Sequence, residues 1–163
     1  MSIPREITVR ITGQGECTDN MVYQSVQVDF RDYVKGVLPN EWHRDWPIES
    51  LRAGAVAVKV FAYHDVMEDG FVWDCNWDQV YDPAKRTPET DNAVDDTWNR
   101  WLFVKTYYDD YPEACASRGH DCLSQWESKR LAGQGMMSRD ILLNNYAGTL
   151  WDIPASWVNF AVP

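Results

Sequence analysis

The chain has 163 residues, the length of one ordinary domain. Its 45% apolar and 25% charged residues exclude disordered, collagen-like and low-complexity classes. With 25 acidic against 15 basic side chains the formal charge is −10, which excludes a basic surface that tracks phosphate and, with it, duplex nucleic acid as a partner. Nine Trp on an acidic domain suit an uncharged, polar-rimmed ligand such as a glycan, although packing is the ordinary use of most Trp.

Ile7, Val9 and Ile11 alternate with polar residues and predict a first strand, ended by Gly13-Gln14-Gly15. Val22, Val26 and Val28 alternate with Tyr23, Ser25, Gln27 and Asp29 and predict a second. Arg31 to Leu38 reads as a short helix, broken by Pro39. The clearest helix follows. Pro47 stands at its first position, and Ile48, Leu51, Ala55, Val58 and Ala62 recur at helical spacing. Its middle, Ala53 to Ala57, is built of small residues, which lets a neighbouring backbone come close. Tyr81 to Thr90 reads as a loop, with Thr90 or Asp91 capping a helix through Val94 and Thr97. Leu102 to Tyr107 reads as a strand and Tyr108 to Asp121 as a loop. Ser124 caps a helix that ends near Gly133 and Gly135, and Ser138 caps another that Gly148 terminates. Trp151 and Ile153 suit a last short strand. The expected fold is one α+β domain over residues 1–163, with several helices packed around a small, mostly antiparallel sheet.

No apolar run reaches the length of a membrane span. Met1 to Glu6 carries no hydrophobic leader, which suits either a cytoplasmic protein or one whose leader is absent from this sequence. Four Cys at wide, irregular spacing suit two disulfides, with Cys115–Cys122 and Cys17–Cys75 the favoured pairing, and disulfides imply secretion. The rival is a zinc site built from Cys115, His120 and Cys122, which lacks both a C-x-x-C pair and a fourth ligand. No other cofactor is expected.

There is no G-x-S-x-G elbow, no phosphate-binding P-loop and no H-E-x-x-H pair, so carboxylate chemistry remains. Glu41 stands out. It follows a broken helix and lies beside Trp42 and Trp46, where desolvation would raise its pKa toward that of a general acid. A capping role is the plainer alternative. Arg52 and Lys59, two helical turns apart on one face, read either as a solvated basic edge or as ligand contacts.

These residues assemble into a wider pattern. Residues 33–63 carry Tyr33, Val34, Gly36, Val37, Glu41, Trp46, Pro47, Glu49, Leu51, Ala53, Ala55, Val56, Ala57 and Tyr63 in the order and spacing of the stage II sporulation protein D signature. Asp78-Gln79-Val80-Tyr81, Ala93-Val94-Asp95-Asp96-Thr97, Gly119-His120, Leu123 to Trp126 and Leu131 to Gly135 match later blocks of the same family. The sequence resembles that family over roughly residues 5–153. The resemblance implies a secreted or envelope-bound protein that cuts peptidoglycan glycan strands as a lytic transglycosylase, with Glu41 as the catalytic acid. It places Arg52 and Lys59 at the family's basic positions, and Gln79, Tyr81, His120, Ser124 and Gln125 at other motif positions. Trp42 is the first choice for stacking on a sugar, with Trp46 and Trp77 behind it. The departures are Trp42 for Met, His43 for Pro, Gly54 for Gln and Lys59 for Arg, with Asp121 and Cys122 interrupting a glycine-rich stretch. The segment between Thr97 and His120 is also much shorter than in the family, which implies a more open pocket. A hydrolase would need a second acid, for which Asp45, Glu49 and Asp78 are the candidates. A non-catalytic glycan-binding module and a modulator of a partner amidase are the other readings.

Overall fold

The computed structural model describes residues 3–148 and 150–153. Strand β1 (Glu6–Ile11) pairs antiparallel with β2 (Gln24–Asp29), Val9 lying opposite Val26. The alternation of β1 buries Ile7 and Val9. Helix α1 (Phe30–Glu41) follows directly, capped by Asp29, whose carboxylate accepts the Asp32 N–H at 3.1 Å. Pro39 does not break it. Proline removes one N–H, but the last turn is held by the Trp42 N–H to the Leu38 carbonyl at 2.8 Å and by the Asn40 side chain to the Gly36 carbonyl at 2.7 Å. The helix therefore runs to Glu41, and this places the carboxyl on a fixed turn.

Helix α2 (Ile48–Asp69) is the centre of the molecule, packed against α1 and against the later helices α3 (Pro88–Asp96), α5 (Gln125–Gly133) and α6 (Ser138–Asn145). It starts one residue later than expected, because Pro47 is its cap. Ala53 to Val58 are buried as an unbroken run, which only a helix covered on all sides shows. Gly70, left-handed at φ 83°, ends it. Strand β3 (Val72–Trp73) then joins the free edge of β1 in parallel.

A 3-10 turn at Pro83–Lys85 interrupts the expected loop. The cap of α3 is Thr87, one turn before the expected Thr90 or Asp91. Thr90 instead closes a reciprocal capping box with it, and Pro88 supplies the first turn. The stretch expected to form one strand at 102–107 divides between two sheets. Strand β4 (Arg100–Leu102) pairs antiparallel with β7 (Leu150–Asp152), and β5 (Tyr107–Asp109) pairs in parallel with β6 (Cys122–Ser124). Between them the buried Thr106 hydroxyl donates to the Ala57 carbonyl at 2.7 Å and turns the chain. The short helix α4 (Pro112–Ala116) lies in the expected loop, tied to β6 by the Cys115–Cys122 disulfide. Ser124 caps α5 as expected, whereas α6 begins at Ser138 with Met137 as its cap and ends at Tyr146. The fold is α+β: among the described residues six helices enclose one core, bordered by three small sheets in place of a single one.

Two expected ligand contacts belong to this core. Trp42 has no exposed surface: its indole N–H donates to the Ser128 hydroxyl at 3.0 Å and its ring tilts against Tyr108 at 5.1 Å. It lies on Gly54, where a Cβ would come within 2.5 Å of the indole. Lys59 is 1% exposed, and its ammonium donates to the Thr97, Trp98 and Arg100 carbonyls at 2.8, 2.8 and 2.6 Å. Burial, helped by Arg31 and Arg100, holds its pKa well below the usual lysine range. Lys59 thus gathers the carbonyls that leave α3 and enter β4; it is a bolt, not a ligand contact. Gly54→Ala gains about 1 kcal/mol of helix propensity and loses about 3 kcal/mol to overpacking against the indole. Urea denaturation is expected to show a net loss of about 2 kcal/mol; a variant as stable as the parent would disprove the close contact.

Candidate active site

Glu41 is the last residue of α1, at the negative end of the helix dipole. Its two carboxyl oxygens each have one donor. The Val80 N–H reaches one at 3.2 Å, and the Gln125 side-chain amide reaches the other at 3.1 Å. Burial pushes its pKa up to about 7. The two hydrogen bonds pull the other way without restoring the ordinary value, and Asp110 and Asp109 add to the rise.

The segment that supplies Val80 is fastened on both sides. The Asp74 carboxylate accepts the Thr12 and Gly13 N–H groups at 2.9 Å and the Thr12 hydroxyl at 2.6 Å. The Cys17–Cys75 disulfide and the Asn76 side chain, which accepts the Cys17 N–H at 2.8 Å, tie the same segment to the β1–β2 connection. Gln79 is buried, accepting from the Tyr33 hydroxyl at 3.2 Å and donating to the Val58 carbonyl and the Tyr108 oxygen at 3.2 and 2.8 Å. It anchors the wall behind Glu41 and does not face the groove. From the other side, Ser124 accepts the Glu127 N–H at 3.1 Å and donates to the Asp110 carbonyl at 3.1 Å, fixing the start of α5 beside Asp110. Gln125 is therefore presented from a capped helix start.

Glu41 lies where two depressions meet. One, of about 260 Å³, is polar and acidic, lined by Asn76, Asp78, Tyr108, Asp109 and Asp110. The other, of about 250 Å³, is aromatic, lined by Trp46, Trp126, His43 and Asn40, with Trp42 also bordering it although its ring has no exposed surface. Glu41, Asp110 and Gln125 belong to both. A larger hollow of about 460 Å³, over Ile11, Gly13 to Gly15 and Tyr81, adjoins them at Asn40 and Val80. The three form a groove with Glu41 at its middle.

The expected site residues separate accordingly. Glu41 and Gln125 meet. Tyr81, stacked on Tyr33 at 5.2 Å, borders the larger hollow. Arg52 is spent elsewhere, between Glu49 and Asp96, and lines none of the three depressions. The His120 ring is exposed and is likewise absent from them; only its carbonyl is used, by the Ala147 N–H at 2.7 Å. The sulfurs of Cys115 and Cys122 are bonded to each other, which overturns the zinc alternative because no thiolate is left to ligate. Of the candidate second acids, Asp45 is exposed and Glu49 is held by Arg52 and the Ser138 N–H. Asp78 lies in the groove, with burial raising its pKa to about 6 against the pull of the Trp73 N–H. Trp77 is half exposed and packs edge-on against Trp73 at 5.5 Å. Asp109, Asp110 and Trp126 were not singled out by sequence. Trp126 directly follows Gln125 in a matched motif block, which is the signal that could have found it.

A family model described as stage II sporulation protein matches residues 18–103, more than half of the chain. The chain belongs to the stage II sporulation protein D family. The matched stretch contains Glu41, Trp46, Asp78 and Val80, whereas Gln125 and Trp126 lie beyond it. An uncharacterized protein of Brachyspira hyodysenteriae is 44% identical over 43 residues, covering 26% of this chain and 12% of that protein. The chain thus spans only a small part of that relative. The two disulfides fit an oxidising compartment, and no described helix is long and apolar enough to cross a membrane.

The raised pKa of Glu41 carries a cost to stability. An unfolded glutamate titrates near its ordinary 4.5, and the folded one near 7. The folded state therefore holds the proton more tightly, and stability falls as pH rises between those values. Glu41→Gln is expected to match the parent at pH 4 and to exceed it at pH 8 by about 2–3 kcal/mol. Thermal or urea unfolding at the two pH values checks this; equal stability at pH 8 would refute the desolvated carboxyl.

Proposed function

We propose that the protein is a peptidoglycan lytic transglycosylase of the cell envelope in which Glu41 acts as acid and then as base. The observation that carries this reading is the Glu41 carboxyl, set where two depressions meet, desolvated to a pKa of about 7 and aimed by one donor on each oxygen. At neutral pH such a group is populated in both protonation states, which a residue that gives and then recovers a proton requires.

In the first half of the reaction the Glu41 carboxyl protonates the glycosidic oxygen between N-acetylmuramic acid and N-acetylglucosamine, and the C1–O bond breaks. The leaving sugar departs with a free 4-hydroxyl. In the second half the muramoyl C6 hydroxyl oxygen attacks C1. Its proton passes to the Glu41 carboxylate, which restores the acid. The products are a 1,6-anhydro end and a shortened strand, and no water is consumed. Gln125 and the Val80 N–H keep the carboxylate pointed at the bond throughout, and both hydrogen bonds strengthen as it gains charge.

Hydrolysis is the second reading, and Asp78 is the observation that favours it. It lines the acidic depression with Glu41, and its pKa of about 6 suits a base that activates water at neutral pH. The products decide between them. Purified glycan strands are expected to yield 1,6-anhydromuramoyl ends by mass spectrometry, and reducing ends would establish hydrolysis. Glu41→Gln is expected to lose about 100- to 10,000-fold in rate, the usual contribution of a positioned acid–base group. In the parent, kcat/KM should decline above about pH 7 as Glu41 loses its proton. Undiminished cleavage by the variant would remove Glu41 from the reaction, and strand binding without any cleavage by the parent would leave a glycan-binding module.

A further inference from the structure

The groove on either side of Glu41 is chemically unequal. On one side stand Asp78 and Asp109, while Asp110 borders both sides. On the other, Trp46 and Trp126 face each other at 4.8 Å between ring centroids, with Trp126 44% exposed. Above this pair lies Lys129, its ammonium 4.8 Å from the Trp126 ring and 5.5 Å from the Trp46 ring. Trp126 and Lys129 are three residues apart on α5, so they share a face with each other, while Ser128 turns inward to Trp42.

Among the described residues, Lys129 is a cation without a charge partner next to the aromatic depression, as Arg5, Arg10, Lys85, Arg118 and Arg139 are elsewhere. Glu127 is engaged with Arg130 and Asp45 with His43 and Arg44, whereas Asp110, which lines the same depression, has no cation partner among the described residues. Lys129 itself lines none of the three depressions and meets the groove through the two rings; a half-buried ammonium there offers a charge-assisted hydrogen bond to an anion, and the indoles offer a stacking surface to a sugar ring. The opposite side of Glu41 repels an anion and accepts neutral hydroxyl and amide groups.

We infer that Trp46, Trp126 and Lys129 form a subsite for the carboxylate-bearing sugar of the strand, and that the acidic depression takes its uncharged neighbour. The inference rests on the glycan reading above and adds the direction in which the strand lies. The muramoyl ring stacks on Trp126 with its lactyl carboxylate toward Lys129, and the N-acetylglucosamine that leaves lies over Asp78 and Asp109. A strand laid the other way would bring its carboxylate against Asp78 and Asp109.

Binding can be measured without cleavage in the full chain carrying Glu41→Gln. Three probes of equal length separate the contributions: an alternating N-acetylglucosamine–N-acetylmuramic acid oligosaccharide, the same oligosaccharide with its lactyl carboxylates reduced to alcohols, and a chitooligosaccharide. The carboxylate form is expected to bind about threefold to fivefold more tightly than the other two at low salt, the scale of a partly exposed ion pair. Lys129→Met, which keeps the aliphatic stem over the indoles, is expected to erase that preference and leave chitooligosaccharide binding in place. Trp126→Ala is expected to weaken all three probes while circular dichroism stays unchanged, since this ring is half exposed. Equal affinity for the carboxylate and alcohol forms, or a preference that survives Lys129→Met, overturns the inference. These outcomes do not depend on which ends cleavage leaves, so a failed transglycosylase assignment and a failed subsite remain distinguishable.

Discussion

The contact between the Trp42 indole and Gly54 determines where everything around Glu41 lies. A tryptophan has to bury a large ring and satisfy one N–H. Here the ring lies flat on a helix that has no side chain at that point, and the Ser128 hydroxyl takes the N–H. Ser128 in turn donates to the Gln125 carbonyl at 2.6 Å and meets the Ser50 hydroxyl at 2.7 Å. One residue thus joins the end of α1, the start of α2 and the first turn of α5. Glu41 and Gln125 are brought to hydrogen-bond distance because both are neighbours of that junction. The departure of residues 42 and 54 from the family pattern reads as one exchange: a larger ring at one position is accommodated by a glycine at the other.

The carboxyl is tuned by opposing effects of unequal size. Burial disfavours the charge, and Asp109 and Asp110 disfavour it further; two neutral donors favour it but do not match the lost hydration. Among the described residues no cation pairs with it to lower the pKa. Arg52 is occupied by Glu49 and Asp96, and Lys59 is turned into the core. Had either reached Glu41, its charge would have pulled the carboxyl down and left too little acid at neutral pH. The removal of both expected basic residues from the groove is therefore consistent with the acid–base role rather than against it. The rigid surroundings, with Asp74, Cys17–Cys75 and Gln79 behind Val80, keep the donors in place as the charge comes and goes.

What the amino-acid sequence made legible follows from how local each signal is. The small-residue helix and the Ser124 cap are written in contiguous residues and appear where periodicity and capping chemistry put them. Glu41 could be picked out because two Trp and a proline surround it within a few positions. Asp109 and Asp110 could not, because nothing local distinguishes them; they join the site only through the pairing of β5 with β6 and the turn into α5. Trp42 and Lys59 were misjudged for one shared reason. Adjacency to the acid and position on a helix face say nothing about which way a side chain points, and both point inward. Pro39 was misjudged because its missing donor is one bond out of several in a turn that Trp42 and Asn40 close.

The formal charge of −10 poses a last physical question, since a strand bearing free lactyl carboxylates is itself an anion. At physiological salt, charges farther apart than about 8 Å are largely screened. The bulk of the acidic surface therefore contributes little to a strand already seated, and the short-range groups decide. At the groove these are a pair of indoles, one ammonium over them without a carboxylate partner, two aspartates on the far side of Glu41 and a third, Asp110, bordering both sides. Stacking is indifferent to the sign of charge, so the indoles supply attraction where the net charge cannot. The ammonium and the aspartates then act as a pair of opposite preferences separated by the carboxyl that does the chemistry. An acidic domain can hold an anionic strand in one orientation because polarity within the groove, rather than total charge, sets the sign that each sugar meets.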